Sequence, residues 1–335
     1  MQFVRNRRHH QKAKKKRSAC LLLLTVLLIG PLSSSLQAAP ATFITALPVS
    51  QDQLLARFSF NPTLSSNPSA PSGGTQLNNY QFPETFLYGL TDKIALALDA
   101  RQGFSSMQEG LPQGSQNLSA AGAGDTLVFA RYTLFSIDHP GNTFRIAPLL
   151  GMYLPTGYYD KSNASGLLPA ALQNGSGSVD PFLGLTAAFY NRHYGWSWDA
   201  TYRHNPPAPG GFDLGDEART DGEFEFRIFP HSLPSSYLPN ELWGVFETNL
   251  ISNNRSEIAG NLDSASGGFS WLFWSGFDYA TLHWELGAEV GIPVVQNLNG
   301  PGEVKQIVSF RLFYEYYLAM PSWRKKKPAP HQTGI

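Results

Sequence analysis

Cysteine is nearly missing from these 335 residues: Cys20 is the single thiol, and it precedes an apolar run instead of following one. A cysteine so placed is neither a lipid acceptor nor half of a disulfide, which excludes disulfide scaffolds, Cys-ligated zinc and thiol catalysis together. Long apolar stretches are equally scarce. The one candidate, Ala19–Gly30 (ACLLLLTVLLIG), runs for twelve residues, whereas a bilayer-crossing helix takes roughly twenty. No helical period is sustained, and hydrophobic residues make up only 42% of the chain. Any membrane crossing must therefore be built from strands.

The amino terminus is strongly one-sided in charge. Residues 1–18 hold eight Lys or Arg and no acid, then comes the apolar run, then the small residues of Ser33–Ala39. That order is an export signal, with the cut expected after Ala38 and Ala41 as the alternative, because Pro40 is a poor first residue; a retained membrane anchor is the weaker reading. Removing the signal takes eight of the 25 basic residues and none of the 25 acidic ones, leaving 17 against 25. A mature chain this acidic is a poor partner for nucleic acid.

What remains has 31 Gly, 24 Pro and 13% aromatic residues, and reads as strands and turns. Period-two alternation places strands at about 53–60, 76–90, 93–102, 125–135, 143–155, 180–191, 194–204, 222–230, 240–250, 269–277, 280–292 and 304–318. In Tyr194–His204, Tyr194, Trp196, Trp198, Ala200 and Tyr202 alternate with Gly195, Ser197, Asp199, Thr201 and Arg203. Alternation alone also fits a soluble two-sheet sandwich. Connection length separates the two: the gaps run roughly 15, 2, 22, 7, 23, 2, 17, 9, 18, 2 and 11 residues, long then short, as in a transmembrane barrel with periplasmic termini and longer outer loops. The expectation is an all-β, up-and-down antiparallel barrel of about 12 strands after a cleaved signal peptide. Its divisions are a signal at 1–38, an N-terminal periplasmic or plugging segment at 39–52, the barrel at 53–318 and a basic, unfolded tail at 319–335. Tight turns are expected at Thr91–Asp92, Arg192–His193 and Asp278–Tyr279, with a longer one at Ser136–Asn142. Aromatic residues near strand ends, among them Tyr153, Tyr190, Trp243, Trp271, Trp274, Tyr314 and Tyr317, are read as interfacial girdles.

Several short segments resemble a known family. Gly124–Asp125 leads a strand (GDTLVFARYTLF), Pro155–Thr156–Gly157 closes one (APLLGMYLPTG), and Asp180–Pro181 opens the next (GSGSVDPFLGLTAAF), with Tyr202–Asn205 and Gly287–Pro293 later in the chain. In order and spacing, over about 120–318, they are similar to the MetA-pathway-of-phenol-degradation family of outer-membrane transporters. The resemblance implies a barrel admitting small, hydrophobic or aromatic compounds, with no enzyme activity. Family barrels commonly finish on an aromatic residue, whereas here Tyr317 is followed by a tail containing Arg324–Lys327.

The charged residues of the wet strand faces are the candidate site. Asp99, Arg101, Arg131, Arg145, Asp199, Arg203, Glu223, Glu225, Arg227, Glu247, His283, Glu285, Glu289, Lys305, Arg311 and Glu315 all fall there. A cation on the lipid side at mid-bilayer costs about 2–4 kcal/mol, so these residues must point into the lumen. They are either a pore lining or ladders that fill a narrow lumen, which residues 39–52 could also block. Gly124, Asp125, Pro155, Thr156, Gly157, Asp180 and Pro181 are read first as strand-end and turn formers. Asp213, Asp216, Glu217 and Asp221 form an acidic loop without a calcium-loop spacing. The six histidines after the signal are scattered, and His283 has no nucleophile motif beside it, so neither a metal, a cofactor nor catalysis is expected. The expected function is an outer-membrane channel for small solutes, the competing one a structural or adhesive barrel without flux. Its expected partners are outer-membrane lipids and lipopolysaccharide, the barrel-assembly machinery and the solute.

Overall fold

A computed structural model describes residues 44–47, 49–68, 74–111, 114–164, 166–209, 212–233, 240–258, 260–264, 266–300 and 303–320. The expected signal at 1–38, its cut at Ala38 and the tail beyond Met320 lie outside them. Twelve antiparallel strands form a closed ring. They are β1 (Gln53–Asn67), β2 (Thr75–Gly89), β3 (Ile94–Leu111), β4 (Thr126–Tyr132), β5 (Asn142–Leu154) and β6 (Asp180–Asn191), then β7 (Tyr194–Arg203), β8 (Glu217–Phe229), β9 (Glu241–Asn253), β10 (Gly268–Ala280), β11 (Trp284–Leu298) and β12 (Lys305–Ala319). Each strand pairs with its neighbours in sequence, and β12 pairs back onto β1 with Gln53 opposite Ala319 and Arg57 opposite Glu315. Closure leaves the wall without an edge, so its backbone donors and acceptors are satisfied within the ring.

Period two sorts the side chains. On β8, Phe224 and Phe226 face outward while Glu223 and Glu225 are buried inside. The outward surface is apolar all round: Leu150 is 70% exposed, Leu183 55% and Leu286 51%. Rings on successive strands stack across it, Phe226 to Phe246 to Phe273 at 6.1 Å between centroids. A band of this kind, wrapped around a charged interior, suits hydrocarbon outside and not water. Among the described residues no helix is long and apolar enough to cross a membrane.

The short connections 90–93, 192–193 and 281–283 share one end with both ends of the strand ring, and the long ones, 112–125, 155–179, 204–216 and 254–267, lie at the other. The long loops are themselves folded. β3 runs on to Leu111, and Gly114–Ala123 pairs back along it. Met107, Leu118 and Ala120 of this hairpin pack on Leu168 and Leu172 of the 155–179 loop. Polar Gln, Ser and Gly in 102–123 hid this extension, because its packing faces another loop and leaves no alternation to read. Similarly, Phe212–Asp213, Glu257–Ile258 and Asn261–Leu262 form a small sheet joining the 204–216 and 254–267 loops.

Three expectations need correction. The turn read at Asp278–Tyr279 is at Thr281–His283, where the Thr281 hydroxyl donates to the Trp284 carbonyl at 2.9 Å and accepts from its amide at 3.1 Å. Ala280, expected to open the next strand, is accordingly the inward end of β10 and 3% exposed. The 136–142 turn is shorter than expected, since Phe135–His139 forms a hairpin with β5. Finally, Tyr190, Trp243 and Trp274 are no girdle: they stand on the inward register and are buried.

The closing strand makes a direct prediction. Ala319 is its last paired residue and the Met320 amide donates to the Asp52 carbonyl at 2.8 Å. A chain ending at Met320 is expected to assemble into a barrel whose gel migration changes on heating, and one ending at Ser309 is not, because β12 must pair with β1 and β11 together. Failure of the first chain would place the assembly information in the tail.

Candidate functional site: the barrel interior

A strap of the chain runs inside the wall before β1 begins. The Ile44 amide donates to Asp199 Oδ2 at 3.2 Å, Thr45 Oγ1 lies 3.2 Å from Ser197 Oγ, and the Thr186 hydroxyl donates to the Ile44 carbonyl at 2.9 Å. Arg131 donates to the Thr45 carbonyl. Ala46 and Leu47 pack on Ala147, Ala188 and Tyr190. The strap thus lies against β4–β7, held by backbone groups that would otherwise be buried unpaired. It leaves at the short-turn end, where the chain crosses Gly89. A Cβ there would stand 2.0 Å from the Ser50 carbonyl oxygen, so only glycine admits the crossing. Asp52, with φ 61°, then turns the chain into β1, and its carboxylate accepts from the Tyr88 hydroxyl at 3.0 Å.

The interior is acidic. Asp199 is buried beside the strap with Arg131, and Glu223, Glu225, Glu247, Glu285, Glu289 and Glu315 are buried along β8–β12 with Arg311. Glu315 meets Arg57 at 2.6 Å, and Arg311 lies 3.4 Å from Glu289 and 3.8 Å from Glu247. Both guanidiniums also cover aromatic faces, Arg57 at 4.7 Å over Phe313 and Arg311 at 4.5 Å over Trp274. Asp221, read as part of an acidic loop, belongs to this wall on β8. Alternation could have found it had β8 been started at Glu217.

The remaining candidates lie nearer the rims. Arg227 donates to the Pro230 carbonyl at 2.9 Å at the short-turn end, and Arg145 pairs with Asp138 at 2.9 Å. Asp99 pairs with the half-exposed Arg101, and Lys305 is exposed at the other end of its strand. His283 stands in the 281–283 turn and outside any strand. Asp216 is a hub for its loop, accepting from the Asn205 amide at 2.8 Å and from the Tyr202 hydroxyl, with His204 Nδ1 at 2.8 Å. Partial burial opposes ionisation there, but the bonds from Tyr202, Asn205 and His204 hold its carboxyl below the usual range.

The turn residues converge at the long-loop rim. Asp125 accepts from the Gly157 amide at 3.0 Å and the Ser176 amide at 2.7 Å. Thr156 Oγ1 donates to the Gly124 carbonyl at 2.9 Å. Asp180 takes Arg203 and the Ser178 hydroxyl, and the Arg203 guanidinium lies 4.1 Å over Tyr153. Pro181 stands outward on β6, opposite Met152, with its carbonyl accepting from the His204 amide at 3.0 Å. Segments far apart in sequence are thereby locked into one rim.

No family model matches the chain, and no curated protein matches it. An outer membrane channel from Pseudomonas putida F1 is similar over 84% of this chain and 100% of that one, at 14% identity and a TM-score of 0.58. The β domain of the Bordetella autotransporter BrkA is similar over 79% of this chain and 99% of that one, at 12% identity and a TM-score of 0.41. The translocator domain of the autotransporter NalP from Neisseria meningitidis is similar over 91% and 95%, at 10% identity and 0.39. The first likeness shows the fold, a twelve-stranded barrel of the outer-membrane kind, and the weaker two add nothing to it.

The rim makes its own prediction. A Cβ on Gly157 would stand 2.7 Å from the Cα of Gly175, and overpacking of this kind costs about 1–3 kcal/mol. Gly157→Ala is therefore expected to lower the temperature at which the barrel loses its folded migration. An unchanged midpoint would mean that the rim contact is slack.

Proposed function

We propose that this chain is an outer-membrane channel for small solutes, exported by its leader, with both ends of the barrel in the periplasm and the long loops outside. The observation that carries the reading is the closed ring with an apolar outer band and charges gathered inside it. An interior this charged is needless in a barrel that only anchors loops, since apolar packing fills a lumen at lower cost. The family resemblance of the rim segments and the fold of the Pseudomonas putida channel support the same reading, and the family resemblance extends it to hydrophobic or aromatic solutes.

In this reading the charged wall residues line the path, and the strap at 44–50 narrows it along β4–β7. Passage then depends on the strap's occupancy. Among the described residues the contacts holding it are the bonds at Ile44 and Thr45 and the small apolar patch around Ala46. A segment held this lightly can leave the wall without unfolding the ring.

Planar-bilayer recording tests the proposal. Deletion of 39–50 is expected to raise conductance over the full-length chain, and Gly89→Val, which pushes on the Ser50 carbonyl, to raise it part of the way. Both variants should keep their heat-modifiable migration. A folded barrel that conducts nothing in any of the three forms would favour the structural or adhesive reading.

A further inference from the structure

The strand register sets acids against acids. Asp199 stands opposite Asp221, Glu223 opposite Glu247, and Glu285 opposite Glu315. Like charges directly opposite one another on neighbouring strands destabilise the pairing. Three such pairs lie on one connected stretch of wall, β7–β12.

The cations facing this wall do not balance it. They are Arg57, Arg219, Arg227 and Arg311, with Arg219 engaged by Asp221, Arg227 near Glu241 at 3.8 Å, and the other two held as described above. Glu225 is left over. It is fully buried, its Oε1 is turned over Gly195, and neither of its oxygens has a hydrogen-bond partner among the described residues. Glu223 Oε2 and Asp278 Oδ1 are likewise without one. A buried charge without a partner costs several kcal/mol, which either a proton or a further positive group relieves.

The chemistry of that group follows from what surrounds it. Among the described residues no three His, Cys, Asp or Glu come together as a metal ion would require. The wall does hold planar organic cations already: the guanidiniums of Arg57 and Arg311, each between carboxylates and an aromatic face. Trp243, 1% exposed, adds a further ring on β9, beside β8, which carries Glu225. Carboxylates beside inward aromatic faces fit a delocalised cation better than a compact hydrated one.

We propose that the acidic wall of β7–β12 takes a solute carrying an organic cation, an amidinium, guanidinium or alkylammonium group, on an apolar body. The proposal rests on the channel reading and names its solute class. The acid pairs and Glu225 bind the head, and the ring of Trp243 on β9 receives the body.

Equilibrium dialysis of the detergent-solubilised, folded chain lacking residues 39–50 tests it with three isosteric probes: benzamidine, benzamide and benzoate. Benzamidine is expected to bind at least about tenfold more tightly than benzamide, equivalent to about 1.4 kcal/mol, with no measurable benzoate binding. Glu223→Gln with Glu225→Gln should remove that advantage while folded migration is kept. Equal affinity for benzamidine and benzamide would overturn the proposal, as expected if the acid pairs simply share protons, and this comparison needs no variant. A preference unchanged by the double substitution would also overturn it. Binding is read without flux, so a conducting barrel that shows no amidine preference sinks this proposal alone, and a binding barrel that never conducts sinks the channel reading.

Discussion

Pairing of β12 with β1 is the constraint on which the rest depends. In hydrocarbon a strand edge leaves a row of backbone groups without partners, each costing several kcal/mol, so a strand wall is stable there only as a ring. Once the ring closes, every strand has an inside and an outside, and period two decides which residues occupy each. The charges of β8, β11 and β12 then face inward together, and Arg57 on the first strand meets Glu315 on the last. The closure that satisfies the backbone also concentrates the charge.

A twelve-stranded ring is wider than the eight-stranded barrels that side chains alone can fill, and this chain fills the excess unevenly. On β4–β7 it uses its own strap and small residues, Ala147 and Ala188 among them, which leave room for a second layer of backbone. On β8–β12 it uses large acids and aromatic rings. Among the described residues, one half of the interior is therefore lined by the strap and the other by charged and aromatic side chains. The long-loop rim is built separately, around Asp125 and Asp180, so it can hold its shape whatever the strap does.

Much of this was legible in the sequence, and for a physical reason. Strands facing lipid on one side and charge on the other alternate cleanly, so β6, β7 and β12 were located nearly to the residue, and the alternation of long and short connections separated one end of the ring from the other. Where an element has the same chemistry on both sides, the signal fails. The hairpin of 104–123 packs on a loop, so its polar residues hide it. Trp243 and Trp274 are aromatic residues facing inward, and residue type could not tell them from girdle residues. The 281–283 turn was misplaced because the alternation continues through Asp278–Ala280, which complete β10 instead of turning. The strap is too short and irregular to have any period, and the partners of Ile44 and Thr45 lie some 150 positions away. The pairing of acid with acid was hidden too, since it depends on register.

The central claim is that a strap of the chain lies inside a closed, charged ring. Its most direct measurement is a cross-link. The mature chain is expected to carry no cysteine, and the Thr45 and Ser197 hydroxyl oxygens are 3.2 Å apart, so Thr45→Cys with Ser197→Cys introduces the only two thiols. The account predicts that they join in the assembled barrel under mild oxidation, blocking thiol labelling until reductant is added. Two thiols that stay free and equally open to a membrane-impermeant reagent would contradict it.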